Sequence, residues 1–297
     1  MRNFVVFFDG REGTTALMQL LSNFDQLTVL HHDLKSGWEP FDYHRCERMS
    51  LQDLEQCFEM LFNGKPVDVD RLNQIYTKTA EKPLTLSNPN GAIGFKMRFE
   101  PPRKFAVTLR RVSMWYWAGG KTLMDIYNRR FNKMMFEVLK RNNVAVFFAI
   151  RQDVLRWALS IYHGDGTGKR GNLQWKLASG KISREQLGKI NVDCKRLEKI
   201  ISRCERSLAI RQELKREFEQ AGIKVHPLLY EDFMEDKPTY FRRVFEILEI
   251  PITEEEINVV INKGAYFKKV HSDQLSDFVE NHQEVMEKFG DRFVSWH

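Results

Sequence analysis

The chain predicts an α/β fold in three layers, with a central, mostly parallel sheet flanked by helices on both faces. Two observations carry this. Short apolar runs of strand length, such as Phe4–Phe8 and Val144–Ile150, alternate with longer stretches of helical periodicity. The first of these runs also turns straight into a helix through a glycine-containing loop, which is how parallel strands and their connecting helices are joined.

Each element follows in order. Phe4–Phe8 is a fully apolar strand, and Ala16–Leu21 has helix-favouring residues. Leu27–Leu30 reads as a second strand, Leu51–Phe62 as an amphipathic helix ending at Asn63-Gly64-Lys65-Pro66, and Asp70–Lys78 as another helix. Pro89-Asn90-Gly91 turns the chain into the strand Ala92–Met97, which stops before Pro101-Pro102. Leu123–Arg141 is helical, Val144–Ile150 is the most strand-like run, and Asp153–Tyr162 is a helix leading into a flexible stretch, His163–Gly171. A long helix is expected from Asn191 to Ala221, with Gly222 as its stop, on which Leu197, Ile201, Cys204 and Leu208 form an apolar stripe. Lys224–Leu229 is a strand, and Thr239–Leu248, Thr253–Asn262 and Leu275–Lys288 are helical. One domain over 1–297 is expected, with helical and loop insertions at about 51–88, 103–141 and 163–190.

Composition narrows the class. The chain has 297 residues, 42% hydrophobic and 29% charged, the balance of an ordinary globular protein. No run approaches the ~20 apolar residues of a membrane span. The first residues lack the pattern of a secretory signal, and Cys46, Cys57, Cys194 and Cys204 lack metal-ligand spacing, so reduced thiols and a cytoplasmic location are expected. The net charge of +6 is spread through the sequence and interleaved with 40 acids, with no basic tail and no nucleic-acid-binding signature. An anionic small-molecule ligand is therefore expected rather than a nucleic acid. His31, His32 and His44 have no third ligand pattern, so no metal is expected.

The loop Asp9-Gly10-Arg11-Glu12-Gly13-Thr14-Thr15 is the chemical centre of this reading. Where a buried strand turns into a helix start, unpaired backbone N–H groups converge and the helix dipole adds positive charge, making an anion cradle. Arg11 adds a full charge, and Thr14 and Thr15 add hydroxyls. A triphosphate loop needs Gly, four residues, then Gly-Lys-Ser/Thr. Here the glycines are three apart and Thr14 stands where the lysine would be. Gly119-Gly120-Lys121-Thr122 imitates the tail of that motif without its earlier glycine, and reads as a turn before a helix.

In such sheets ligands bind beyond the carboxyl ends of the strands, which makes neighbours of Asp9–Thr15, Trp38–Tyr43, Phe95–Arg98 and Arg151–Ser160. Together these segments resemble a sulfotransferase of the superfamily that uses 3′-phosphoadenosine 5′-phosphosulfate (PAPS), a P-loop-type fold. Arg11-Glu12-Gly13-Thr14-Thr15 is similar to that family's Lys/Arg-Ser-Gly-Thr-Thr loop, and Arg151-Gln152-Asp153 with Ala158-Leu159-Ser160 to its 3′-phosphate segment. The resemblance is closest to the trehalose sulfotransferase branch. Arg151 and Ser160 keep that branch's spacing of nine, and Trp38–Tyr43, Pro89–Lys96 and Ser272–Asp277 resemble branch segments. Tyr230-Glu231-Asp232-Phe233 resembles a Tyr-Glu-Asp-Leu segment seen across many sulfotransferases.

The resemblance implies PAPS as co-substrate, adenosine 3′,5′-bisphosphate as product, and the hydroxyl of a small molecule, carbohydrates included, as acceptor. It implies that Arg11 acts on the bridging oxygen and the transferring sulfuryl group. Gly13, Thr14 and Thr15 hold the 5′-phosphate, Glu12 lies within the same donor loop, and Arg151 and Ser160 hold the 3′-phosphate. Lys96 is a second cation for the sulfuryl oxygens. Asp42, in place of the branch's Glu, is the general base, with Glu39 the neighbouring alternative; both are also suited to capping a helix or pairing with Arg45 or Arg48. Trp115, Tyr116, Trp117 and His163–Trp175 are candidates to line an acceptor cleft. A homodimer is left open. Two other readings stand beside this one: a P-loop nucleotide or small-molecule kinase, and a non-catalytic nucleotide-binding protein with a decayed donor site.

Glu12 departs from the pattern. A carboxylate about 4 Å from a phosphosulfate would repel it by about 4 kcal/mol at an effective dielectric of about 20. Glu12 is therefore expected to turn outward and pair with a basic side chain, so that Glu12→Ser tightens donor binding or leaves it unchanged.

Overall fold

The computed structural model describes residues 1–31, 41, 49–64, 66–77, 83–88, 91–98, 120–166, 181, 183, 188–264 and 274–296, with 120–129 and 164–166 in backbone only. Among them, six strands form one sheet: β1 (Phe4–Phe8), β2 (Leu27–His31), β3 (Thr85–Leu86), β4 (Ala92–Arg98), β5 (Ala145–Ile150) and β6 (Val225–Leu229). Their order is β3-β2-β4-β1-β5-β6. All pairs are parallel except the antiparallel β2–β3 edge. The helices are α1 (Thr14–Leu21), α2 (Leu51–Phe62), α3 (Val69–Tyr76), α4 (Gly120–Arg141), α5 (Val154–Gly166), α6 (Cys194–Gln220), α7 (Tyr230–Glu235), α8 (Lys237–Ile247), α9 (Glu254–Lys263) and α10 (His282–Phe289). This is the predicted α/β architecture.

β1 lies between β4 and β5, in register from Phe4 opposite Gly94 to Phe8 opposite Arg98, and from Phe4 opposite Ala145 to Phe7 opposite Phe148. Its alternating side chains divide the core. Phe4, Val6 and Phe8 pack with α1, α8 and α9, whereas Val5 and Phe7 pack with α2, α4, α5 and α6. Both faces are covered, so the strand reads as an unbroken apolar run. Gly94 is required by this packing, because a Cβ there would lie 2.0 Å from the Phe4 ring.

Several expectations change in detail. α5 runs through Gly164 to Gly166, past the start of the stretch expected to be flexible. Burial of His163 anchors the last turn, and such packing outweighs the ~1 kcal/mol helix penalty of a glycine. The two-residue strand β3 is too short to show a periodicity. α7 follows β6 without a loop, with Leu229 as its N-cap. The segment expected to be helical from Leu275 to Lys288 divides into a 3₁₀ turn, Leu275–Asp277, and α10, because Asn281 is spent on the backbone N–H and C=O of Val192. Gly120-Lys121-Thr122 forms the first turn of α4. No helix among the described residues is long and apolar enough to cross a membrane.

Candidate anion-binding site

The strand order brings the carboxyl ends of β4, β1 and β5 side by side, so Arg98, Asp9–Thr15 and Arg151 meet at one edge of the sheet. The loop backbone is sharply turned, with Arg11 at φ 72° and Gly13 at φ 76°. A left-handed arginine is uncommon and strained, whereas glycine accepts that conformation freely. Gly13 also lies against Tyr230, where a Cβ would come within 2.8 Å of the ring. It is the N-cap of α1 and supplies no side-chain cap, and no acid stands in the first turn. The first backbone N–H groups of α1 are thus left to an external acceptor, with the helix dipole behind them.

Cations surround this helix start. Lys96, 1% exposed, donates from Nζ to Thr15 Oγ1 at 2.9 Å and lies 4.5 Å from the centre of the Phe8 ring. Arg98 stacks on the same ring. Arg151 donates from Nη1 to the carbonyl of Arg11 at 3.1 Å, and its guanidinium sits 4.4 Å over the Tyr230 ring. Its buried Nε has no hydrogen-bond partner. Ser160 lies six residues beyond the first residue of α5, about 9 Å along the axis. It shares a helix face with Trp157 and Ile161. No hydrogen bond links it to Arg151 among the described residues. An open cleft beside the loop, about 200 Å³, is lined by Asp9, Gly10, Arg11, Arg98, Trp157, Ile161, Arg203 and Cys204.

Glu12 pairs with a basic side chain, but inward rather than outward. Its carboxylate is buried, accepts the Asp9 backbone N–H at 2.7 Å and forms an ion pair with Arg211 of α6. The three-residue turn aims the side chain under the loop, and Arg211 is the cation waiting there. Arg211, 0% exposed, also donates from Nη1 to the Ala149 carbonyl at 2.8 Å and from Nη2 to Ser207 Oγ at 3.3 Å, with Asp9 Oδ2 at 3.6 Å. Ser207 Oγ donates to Asp9 Oδ2 at 2.8 Å. Trp157 completes the arrangement, its ring 5.1 Å from the Arg211 guanidinium and its Nε1 donating to the Gly10 carbonyl at 2.8 Å. Burial pushes the Glu12 carboxyl up to about 7 against the pull of Arg211. Burial likewise pushes the Cys204 thiol up to about 12, which keeps it an inert packed thiol. His163 is held below its ordinary value by burial and by the charge of Arg11.

Asp42, Glu39, Arg45, Arg48, His32, His44 and the Trp115–Trp117 aromatics lie outside the described residues. Phe41 packs on Phe95, Phe58 and Tyr76, at centroid distances of 4.9, 5.0 and 5.6 Å. Phe41 is thus part of the core beside β4. Among the described residues, no three His, Cys, Asp or Glu side chains gather as a metal-ligand group.

Residues without a role in the sequence reading complete the site. Glu231 Oε1 accepts the backbone N–H groups of Gln152 and Asp153, each at 3.1 Å, and so fixes the turn that presents Arg151. Tyr230 links Gly13 to Arg151 from the same segment. Arg211 had a visible signal. The stripe Leu197, Ile201, Cys204, Leu208 advances by four, three and four residues, and its next position is Arg211. A cation on an apolar stripe implies a buried anionic partner.

No protein-family model and no curated protein matches the chain. Among solved structures, a sulfotransferase domain from the curacin biosynthetic pathway is similar over 100% of this chain and 93% of its own, at 12% identity and a TM-score of 0.40. The sulfotransferase STF9 from Mycobacterium avium is similar over 98% and 75%, at 15% identity and a TM-score of 0.38. A retinol dehydratase in complex with androsterone and the inactive cofactor PAP is similar over 100% and 83%, at 13% identity and a TM-score of 0.45. With TM-scores under 0.5, none of these likenesses bears on what the chain does.

Proposed function

We propose that the chain is a PAPS-dependent sulfotransferase, transferring a sulfuryl group in line to a hydroxyl of a small-molecule acceptor, with carbohydrates the first class to test. One observation carries the reading. Two anion clamps read separately from the sequence, 140 residues apart, touch through the Arg151–Arg11 hydrogen bond. A donor with two anionic ends needs two such clamps side by side. The uncapped start of α1 and the buried, unpartnered Nε of Arg151 are hydrogen-bond donors that fit phosphate oxygens.

In this reading the backbone N–H groups of Gly13, Thr14 and Thr15 hold the 5′-phosphate, and Arg11 and Lys96 neutralise charge on the bridging and sulfuryl oxygens. Arg151 holds the 3′-phosphate, with Ser160 further along α5. Such transfer gains its rate mainly from positioning and electrostatics. The acceptor proton passes to Asp42 or Glu39. Titration calorimetry with adenosine 3′,5′-bisphosphate, ATP and GTP tests the proposal. Binding of the bisphosphate that weakens by about one to two orders of magnitude in Arg151→Ala supports it. Preference for ATP with magnesium would instead favour a kinase, and bisphosphate binding without transfer to any acceptor in a broad panel would favour a decayed site.

A further inference from the structure

The anion loop is held from beneath by one residue pair on α6. Ser207 and Arg211 are four apart and face the same way, and between them they reach Asp9, Glu12 and, through Arg211, the end of β5 at Ala149. Both loop carboxylates point to this helix, away from the helix start at Thr14 where an anion would dock. Beside Arg211, whose guanidinium its ring meets, Trp157 holds the Gly10 carbonyl. The loop from Asp9 to Gly13 thus has an anchor at every residue: Ser207 at the Asp9 side chain, Trp157 at the Gly10 carbonyl, Arg151 at the Arg11 carbonyl, Arg211 at the Glu12 side chain and Tyr230 against Gly13. Within that set Arg211 is the only one with charge-assisted contacts to two loop residues.

We propose that Arg211 is a positioning residue for the anion loop: without touching the ligand, it sets the Asp9–Gly13 backbone in the shape that aims the first N–H groups of α1 outward. The acid at position 12, unwelcome beside a phosphosulfate, is in this view the handle by which α6 grips the loop. A buried carboxylate whose charge is matched within contact distance by a guanidinium presents little net charge to a ligand on the far side of the backbone. An uncompensated partner, by contrast, is strongly destabilising, while removing both members of such a pair together is often tolerated.

The inference rests on the donor reading only for its choice of ligand probe, so the test has one arm without a ligand. Amide hydrogen exchange of residues 9–13 is compared between the wild type, Arg211→Met and Glu12→Gln/Arg211→Met. Faster loop exchange is expected in both variants, and in the double variant it is confined to the loop, with β1 and β5 as protected as in the wild type. Unchanged loop exchange overturns the proposal. Should Arg211→Met not fold, Arg211→Lys, which keeps the charge and loses the fork, serves in its place. The second arm measures affinity for adenosine 3′,5′-bisphosphate. The double variant is expected to regain most of its melting temperature while binding about tenfold or more weakly, since small misplacements of binding groups have effects of that order. Recovery of affinity together with melting temperature would reduce Arg211 to a purely structural role. Failure of the wild type to bind the bisphosphate would overturn the donor reading and leave the exchange arm to decide on the loop.

Discussion

Arg151 is fixed by two neighbours, the Arg11 carbonyl below and the Tyr230 face beside it, and retains hydrogen-bond donors for a ligand. Hydrogen bonds to a charged group contribute about 1.5–3 kcal/mol each, so Arg151→Ala should weaken bisphosphate binding by one to two orders of magnitude, measured by calorimetry. Its melting temperature should change little. Glu12 behaves differently from its sequence expectation. Replacement by Ser leaves Arg211 buried beside Asp9 alone, and breaking a buried pair in this way costs about 3–5 kcal/mol. Glu12→Ser should therefore lower the denaturation midpoint sharply, and a variant as stable as the wild type would contradict the buried pairing. The loop itself was legible because an apolar strand turning into a helix through Gly10 and Gly13 marks it in the sequence. The direction of Glu12 was not, since the side chain is turned inward by a loop conformation that includes a left-handed arginine.

At the scale of elements, the ends of helices and strands were read well where turn chemistry marks them. Leu51–Phe62 begins after Ser50, whose side chain accepts from the Asp53 N–H, and it ends at Asn63 before Gly64. Elements without such marks were missed. α7 continues directly from β6, and β3 exists only because its partner β2 offers an edge. Two glycines carry element-level predictions. Gly94→Ala would press a methyl group into Phe4, and overpacking of a tight core costs about 1–3 kcal/mol or more; urea unfolding should show the loss. Gly13→Ala meets both a left-handed backbone and the Tyr230 ring. It should abolish anion binding while leaving the sheet intact, as read by calorimetry alongside far-ultraviolet circular dichroism.

Across the whole molecule, two buried groups oppose each other in their response to pH. The Glu12 carboxyl is raised by burial from 4.5 to about 7, so its contribution to stability is present below pH 4.5 and lost as pH rises through 7. His226 is lowered from 6.5 to about 4 by burial and by the nearby charges of Lys224, Arg2 and Arg243. Its contribution is present above pH 6.5 and lost as pH falls through 4. Between about pH 4.5 and about pH 6.5 the two slopes have opposite sign. Glu12→Gln should unmask the His226 slope, and its melting temperature should rise with pH more steeply than that of the wild type over this window. A wild-type slope retained in the variant would contradict the assignment. The three-layer architecture was legible because apolar strands and amphipathic helices alternate along the chain. The tie between α6 and the loop after β1 was not, because it depends on one arginine meeting two acids about 200 positions away in the chain.

That arginine also constrains how such a chain can change through descent. Starting from the Glu12–Arg211 pair, either single replacement passes through a form in which the other member has lost its closest buried partner, while the paired replacement does not. Sequences descended from a common ancestor with this one should therefore carry an acid at position 12 together with a basic residue at position 211, or neither. A lineage that acquired the pair would find it hard to give up one half at a time.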